Sequence, residues 1–195
     1  MDTLPFTSGH WLNRPQVAQV EPDLLTFATD AKTDFWRDTY YGFTRDSGHA
    51  LLFERSGGFT AEIRVRGSYE ELYDQAGLMV RIDEQRWMKF GTELTDGAIF
   101  LSTVVTDGRS DWSVSSLAGD MSDVRLRLTV DRGYLRVQAS VDGQSWPLLR
   151  LAPFPVSEQY WIGPMAATPE RAGFRVSFSD FRCGLPTTKD LHDLT

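Results

Sequence analysis

Between Gln75 and Glu93 the chain reads QAGLMVRIDEQRWMKFGTE, two β-strands joined by a short acidic turn. On the second strand Trp87, Lys89 and Glu93 share one face and Met88, Phe90 and Leu94 the other, because side chains alternate across a strand. An indole, an ammonium and a carboxylate in one row, backed by an apolar row, have the chemistry of a cleft for a polar ligand. A sugar is the first candidate. Its C–H faces stack on aromatic rings, and its hydroxyls need fixed donors and acceptors.

The elements that must hold this row are strands. Period-two alternation recurs along the chain, and helical periodicity is almost absent. In Phe59 to Arg66, the residues Phe59, Ala61, Ile63 and Val65 point inward, and Thr60, Glu62, Arg64 and Arg66 outward. Strands are also predicted at Leu24 to Thr29, Ile99 to Thr106, Asp111 to Ser116, Val124 to Val130, Tyr134 to Val141, Tyr160 to Ala166 and Gly173 to Phe181. Turns fall at Asp107-Gly108, Arg132-Gly133 and Asp142-Gly143. Only Ser68 to Gln75 suggests a helical turn. Many short strands, each with one apolar face, give an all-β, two-sheet antiparallel β-sandwich. Residues 1–185 form its single domain, and 186–195 read as a mobile C-terminal tail.

Composition narrows the function classes. Of 195 residues, 41% are hydrophobic and 24% charged, as in a water-soluble globular domain. No apolar run is long enough to span a bilayer, and the first residues lack the pattern of a secretory signal, so a cytoplasmic location is expected, with no membrane partner. The net charge of −7 argues against a nucleic-acid partner. One cysteine, Cys183, excludes an internal disulfide and reads as a structural thiol. His10, His49 and His192 lack metal-ligand spacing, so no metal site or cofactor is expected. Loop carboxylates leave calcium as the one open exception.

Three segments carry a resemblance. They are Asp34-Phe35-Trp36-Arg37 with Tyr41-Gly42-Phe43; Asp74 to Arg81 followed by Trp87, Lys89, Gly91 and Glu93; and Leu101-Ser102, Val104 to Thr106 and Ser110 to Ser113. Together they resemble the family of unknown function that includes the regulation-of-enolase proteins, and the likeness runs from about Trp11 to Phe181. It implies a concanavalin A-like lectin/glucanase jelly roll, a fold in which the concave sheet usually holds the ligand. The fold alone does not settle function.

On that basis the expected ligand-binding residues are Trp36, Tyr41, Gln75, Arg81, Trp87, Lys89, Glu93 and Trp112. Trp87 and Trp112 would stack the ligand, and Gln75, Arg81, Lys89 and Glu93 would orient it. The plain structural alternative is that Lys89 and Glu93 merely pair with each other, and that Trp146 and Trp161 belong to the core. The expected function is binding of a carbohydrate or similar small polar ligand without proven catalysis. One alternative is a glycoside hydrolase using Glu93. Such enzymes need two flanking carboxyls, and the paired-acid motif of glucanases with this fold is missing, so a partner would have to come from Asp34, Asp74 or Asp111. The other alternative is a protein-interaction or regulatory module acting on carbohydrate metabolism, with a protein partner. The N-terminal aromatics Trp11, Trp36 and Tyr41 either build the cleft or plug it.

Overall fold

A computed structural model describes residues 1–195. Two antiparallel sheets stack face to face. The first has eight strands: Leu148–Pro153, Tyr134–Ser140, Asp123–Asp131, Phe59–Gly67, Arg175–Gly184, Leu24–Ala28 and Val17–Val20 in spatial order, with Asp2–Thr3 added on Arg175–Gly184. The second has seven: Arg109–Ser115, Ala98–Asp107, Arg86–Thr95, Gln75–Arg81, Gln159–Ala167, His49–Ser56 and His10–Leu12. A small hairpin, Phe35–Arg37 with Thr44–Asp46, stands outside both.

The expected sandwich is therefore the observed one, and the reason is the alternation. Ile63, Val65, Leu126, Leu128 and Phe178 from one sheet meet Leu78, Val80, Met88 and Phe90 from the other in a core cluster of 33 buried residues. Burying that much apolar surface is the main force closing the two sheets. Cys183 lies in this core, with the Arg55 Nε donating to its Sγ at 3.3 Å. Trp146 is buried as expected, with the Arg127 guanidinium 3.9 Å from its ring centroid.

Two features differ from the sequence reading, and two add to it. The strand His49–Ser56 escapes alternation because its first five residues are all buried, and a strand covered on both faces reads as a continuous apolar run. Ser68 to Gln75 forms no helix. Asp74 holds it as a turn by accepting the Glu70 and Glu71 N–H groups at 2.9 and 3.2 Å. Arg64 and Arg66 stand on the outward face as read, and both bind Asp123, which adds a bridge across strands. Residues 186–195 make contacts with the sandwich. Arg136 donates to the Lys189 and Asp190 carbonyls at 2.8 and 2.9 Å, and the Trp146 N–H donates to the Leu194 carbonyl at 2.7 Å. These contacts lay the segment along the outer face of the eight-stranded sheet.

Candidate functional site

The outer face of the seven-stranded sheet carries the polar row. Strand register puts Glu93 opposite Gln75, Gly91 opposite Gly77, Lys89 opposite Met79 and Trp87 opposite Arg81. On the other side Lys89 faces Val104, which faces Trp112, and Gly91 faces Ser102. Gly77 and Gly91 are needed at the centre. A Cβ on Gly91 would lie 1.9 Å from the Ala76 carbonyl oxygen, and one on Gly77 2.0 Å from that of Phe90.

Part of this face is covered. The segment from Asp34 to Gly48 folds over it and makes a second apolar cluster, in which Phe35 and Trp36 pack with Leu52, Met79, Trp87 and Met165. Several contacts fix the cover. The Ser47 and Gly48 N–H groups both donate to the Asp34 carbonyl at 2.9 Å. The two Arg81 Nη groups each hold an Asp46 carboxylate oxygen at 2.7 Å. The Arg37 N–H donates to Ser110 Oγ at 2.9 Å, and its Nε to the Gly108 carbonyl at 3.2 Å. Beside the cover a cavity of about 280 Å³ remains.

Five aromatic side chains line that cavity: Trp36, Tyr41, Phe43, Tyr73 and Trp112. Its floor is Asp34, Gln75, Lys89 and Glu93, all under 9% exposed. Lys89 Nζ donates to Asp34 Oδ1 at 3.0 Å and to Gln75 Oε1 at 2.7 Å. The alternative reading of a Lys89–Glu93 pair is not met, because Asp34 enters from the cover and takes the ammonium. Glu93 is left with one weak contact, the Ser102 hydroxyl donating to its Oε2 at 3.3 Å, while Oε1 has no partner. Trp112 Nε1 donates to the same Ser102 Oγ at 2.9 Å, which fixes the indole beside the carboxylate. A separate hollow of about 10 Å³ is lined by Gly91, Glu93 and Ser102 among others, at the lower limit for one water molecule.

Of the eight expected ligand residues, Trp36, Tyr41, Gln75, Lys89, Glu93 and Trp112 line this one cavity. Two do not. Trp87 is 1% exposed, packs on Phe35 with ring centroids 6.1 Å apart and donates Nε1 to the Glu84 carbonyl. It is core, because the cover lies on top of it. Arg81 is held entirely by Asp46 and positions the cover. Sequence reasoning missed Phe43 and Tyr73 as walls, Val104, Pro169 and Glu170 as lining, and Arg45 beside Phe43. Asp34 enters the sequence reading as a candidate second carboxyl of a hydrolase and not as a binding residue; its place directly before the Phe35-Trp36 pair is the available signal. No three or more His, Cys, Asp or Glu side chains gather in a metal-ligand cluster.

A family described as proteins of unknown function, DUF1349, matches residues 11–185. The chain belongs to this family. It is 54% identical over 190 residues to "Regulation of enolase protein 1" of Saccharomyces cerevisiae, covering 97% of this chain and 96% of that protein. The crystal structure of a functionally unknown protein from Saccharomyces cerevisiae superimposes with a TM-score of 0.92 at 54% identity, covering 94% of this chain and 99% of that one. A mutant GH43 protein, BlXynB, from Bacillus licheniformis gives a TM-score of 0.69 at 12% identity over 94% of this chain and 39% of its own, a likeness of fold alone.

In this DUF1349 chain the electrostatics of the floor have a measurable consequence. Burial drives the Glu93 carboxyl from its ordinary 4.5 up to about 7; Lys89 pulls it partly back, Asp34 pushes it further and the Ser102 hydroxyl lowers it. A raised carboxyl keeps a proton in the folded state that the unfolded chain releases. Its stability contribution is therefore full below about 4.5 and is lost as pH rises through about 7. That loss is up to about 3 kcal/mol. Urea melts of Glu93→Gln should lack it, so the variant gains on the parent between pH 5 and 8. Parallel stability–pH curves for the two proteins would show that Glu93 is solvated.

Proposed function

We propose that the cavity binds a carbohydrate residue, or a small ligand with similar polar groups, on the aromatic-walled floor of Gln75, Lys89 and Glu93. One observation carries this reading: Glu93 lines a cavity with five aromatic walls, is only 4% exposed, and its buried Oε1 has no protein partner. Leaving a buried polar atom unpaired costs about 1–3 kcal/mol, and a ligand donor would recover it. A volume of about 280 Å³ suits one small ring and not an extended chain.

The test is a thermal-shift screen against mono- and oligosaccharides, with and without calcium. A ligand that binds the folded state raises Tm with its excess over Kd. Trp112 is 37% exposed, so Trp112→Ala should spare the fold while weakening ligand binding by about 1–2 kcal/mol, roughly tenfold in Kd. Unchanged affinity in that variant removes Trp112 from the site. Release of reducing sugar, lost in Glu93→Gln, would turn the binding reading into a glycoside hydrolase.

A second reading, a regulatory module with a protein partner in carbohydrate metabolism, is favoured by the name of the 54% identical yeast relative. Capture of purified enolase by the purified chain tests it directly. No retention at micromolar concentrations counts against it.

A further inference from the structure

We propose that the ligand of this cavity carries a protonated amine that seats against the Glu93 carboxylate among the aromatic rings. Within the carbohydrate reading, on which this inference rests, the ligand is then an amino sugar.

The argument is one of charge and partners. A carboxylate that is 96% removed from solvent calls for a cation or several donors. The ammonium nearest in the row, Lys89, is engaged by Asp34 and Gln75 and forms no ion pair with Glu93. Lys89 and Asp34 cancel each other. The remaining charged lining residues are Arg45, whose guanidinium lies 4.5 Å from the Phe43 ring centroid, and the exposed Glu170; neither forms an ion pair with Glu93. The phenols of Tyr41 and Tyr73 are hydrogen-bonded to each other at 3.3 Å, and that bond, with burial, pushes Tyr73 up to about 12, so it is neutral near pH 7. Above about pH 7, where Glu93 is ionised, the centre of the cavity thus holds one unmatched negative charge.

The walls favour the same ligand. Aromatic faces attract cations, most strongly where water is excluded, and tryptophan most of all. The Trp112 indole is fixed to Ser102, which also contacts Glu93, so a cation at the carboxylate would lie beside that ring. A neutral hydroxyl can donate one hydrogen bond to Oε1 but leaves the charge unmatched. An anionic ligand would add a second one.

The experiment is calorimetric titration of the full chain at pH 7.5 with glucosamine, N-acetylglucosamine, glucose and tetramethylammonium. The expected result is glucosamine binding about tenfold or more tighter than glucose and N-acetylglucosamine. Glu93→Gln, checked for a cooperative melt, should abolish the preference. The parent protein at pH 5.5 should lose it too, because protonation of Glu93 weakens cation binding by about tenfold per pH unit below 7. Equal binding of glucose, or a preference that survives both Glu93→Gln and pH 5.5, overturns the amine while leaving the carbohydrate reading. Binding of tetramethylammonium alone, lost in Glu93→Gln, supports a cation seat at Glu93 and overturns the amino sugar together with the carbohydrate. No binding of any probe overturns both.

Discussion

Replacing Lys89 with methionine should cost the fold about 3–5 kcal/mol, the typical penalty for stranding one partner of a buried ion pair. Lys89 is 6% exposed and Asp34 8%, so water reaches neither freely. Methionine retains most of the stem packing, which isolates the loss of the ammonium. Asp34 would then keep only Gln75 Nε2 at 3.5 Å and the Phe35 N–H at 2.8 Å. Glu93 would lose the one neighbouring charge that holds its carboxyl down and would keep its proton to still higher pH. For a chain of this length the change corresponds to a fall in Tm of roughly 10 °C. Urea denaturation at pH 7 measures it, and the double variant Lys89→Met/Asp34→Asn should recover much of the loss through the coupling of the pair. A single-variant effect under about 1 kcal/mol would mean that the pair is effectively solvated.

Trp87→Ala should be of similar size, about 3–5 kcal/mol, for a different reason. The indole fills the space between the sheet and the cover, against Phe35, Met79 and Val104. Truncation leaves a void that the rigid sheet does not close and removes the shorter of two hydrogen bonds to the Glu84 carbonyl. Ligand affinity should also fall, but indirectly, because Trp36, Tyr41 and Phe43 belong to the segment that rests on this cluster. A variant that melts like the parent while losing its ligand would put Trp87 back in the cavity. Comparison with Trp112→Ala separates the cases: that change should lower affinity and leave Tm nearly unchanged.

The two indoles show how far the residue pattern reaches. Both lie on the outer face of the same sheet, as alternation requires, and the sequence reading placed them there. Nothing in local alternation distinguishes the one that is covered from the one that stays in contact with solvent. The difference comes from the segment Asp34 to Gly48, which lies about forty residues or more away in the chain from Trp87 and whose Phe35 and Trp36 pack into one buried cluster with it. Lys89 and Glu93 pose the same problem. Four residues apart on one strand, they look like a pair, yet a carboxylate from Asp34, 55 positions from Lys89, displaces Glu93 from the ammonium.

By itself the sequence determined the all-β sandwich, the strands of its core and the face on which Gln75, Lys89 and Glu93 stand. These follow from a period of two and from the demand that each apolar face be buried, both local properties of a strand. Only the tertiary structure decided which part of that face remains open, which ammonium meets which carboxylate, and that Glu93 is the group left unmatched. Those outcomes depend on a loop packing across the sheet, and the energies of burial and ion pairing exist only once distant residues have been brought together.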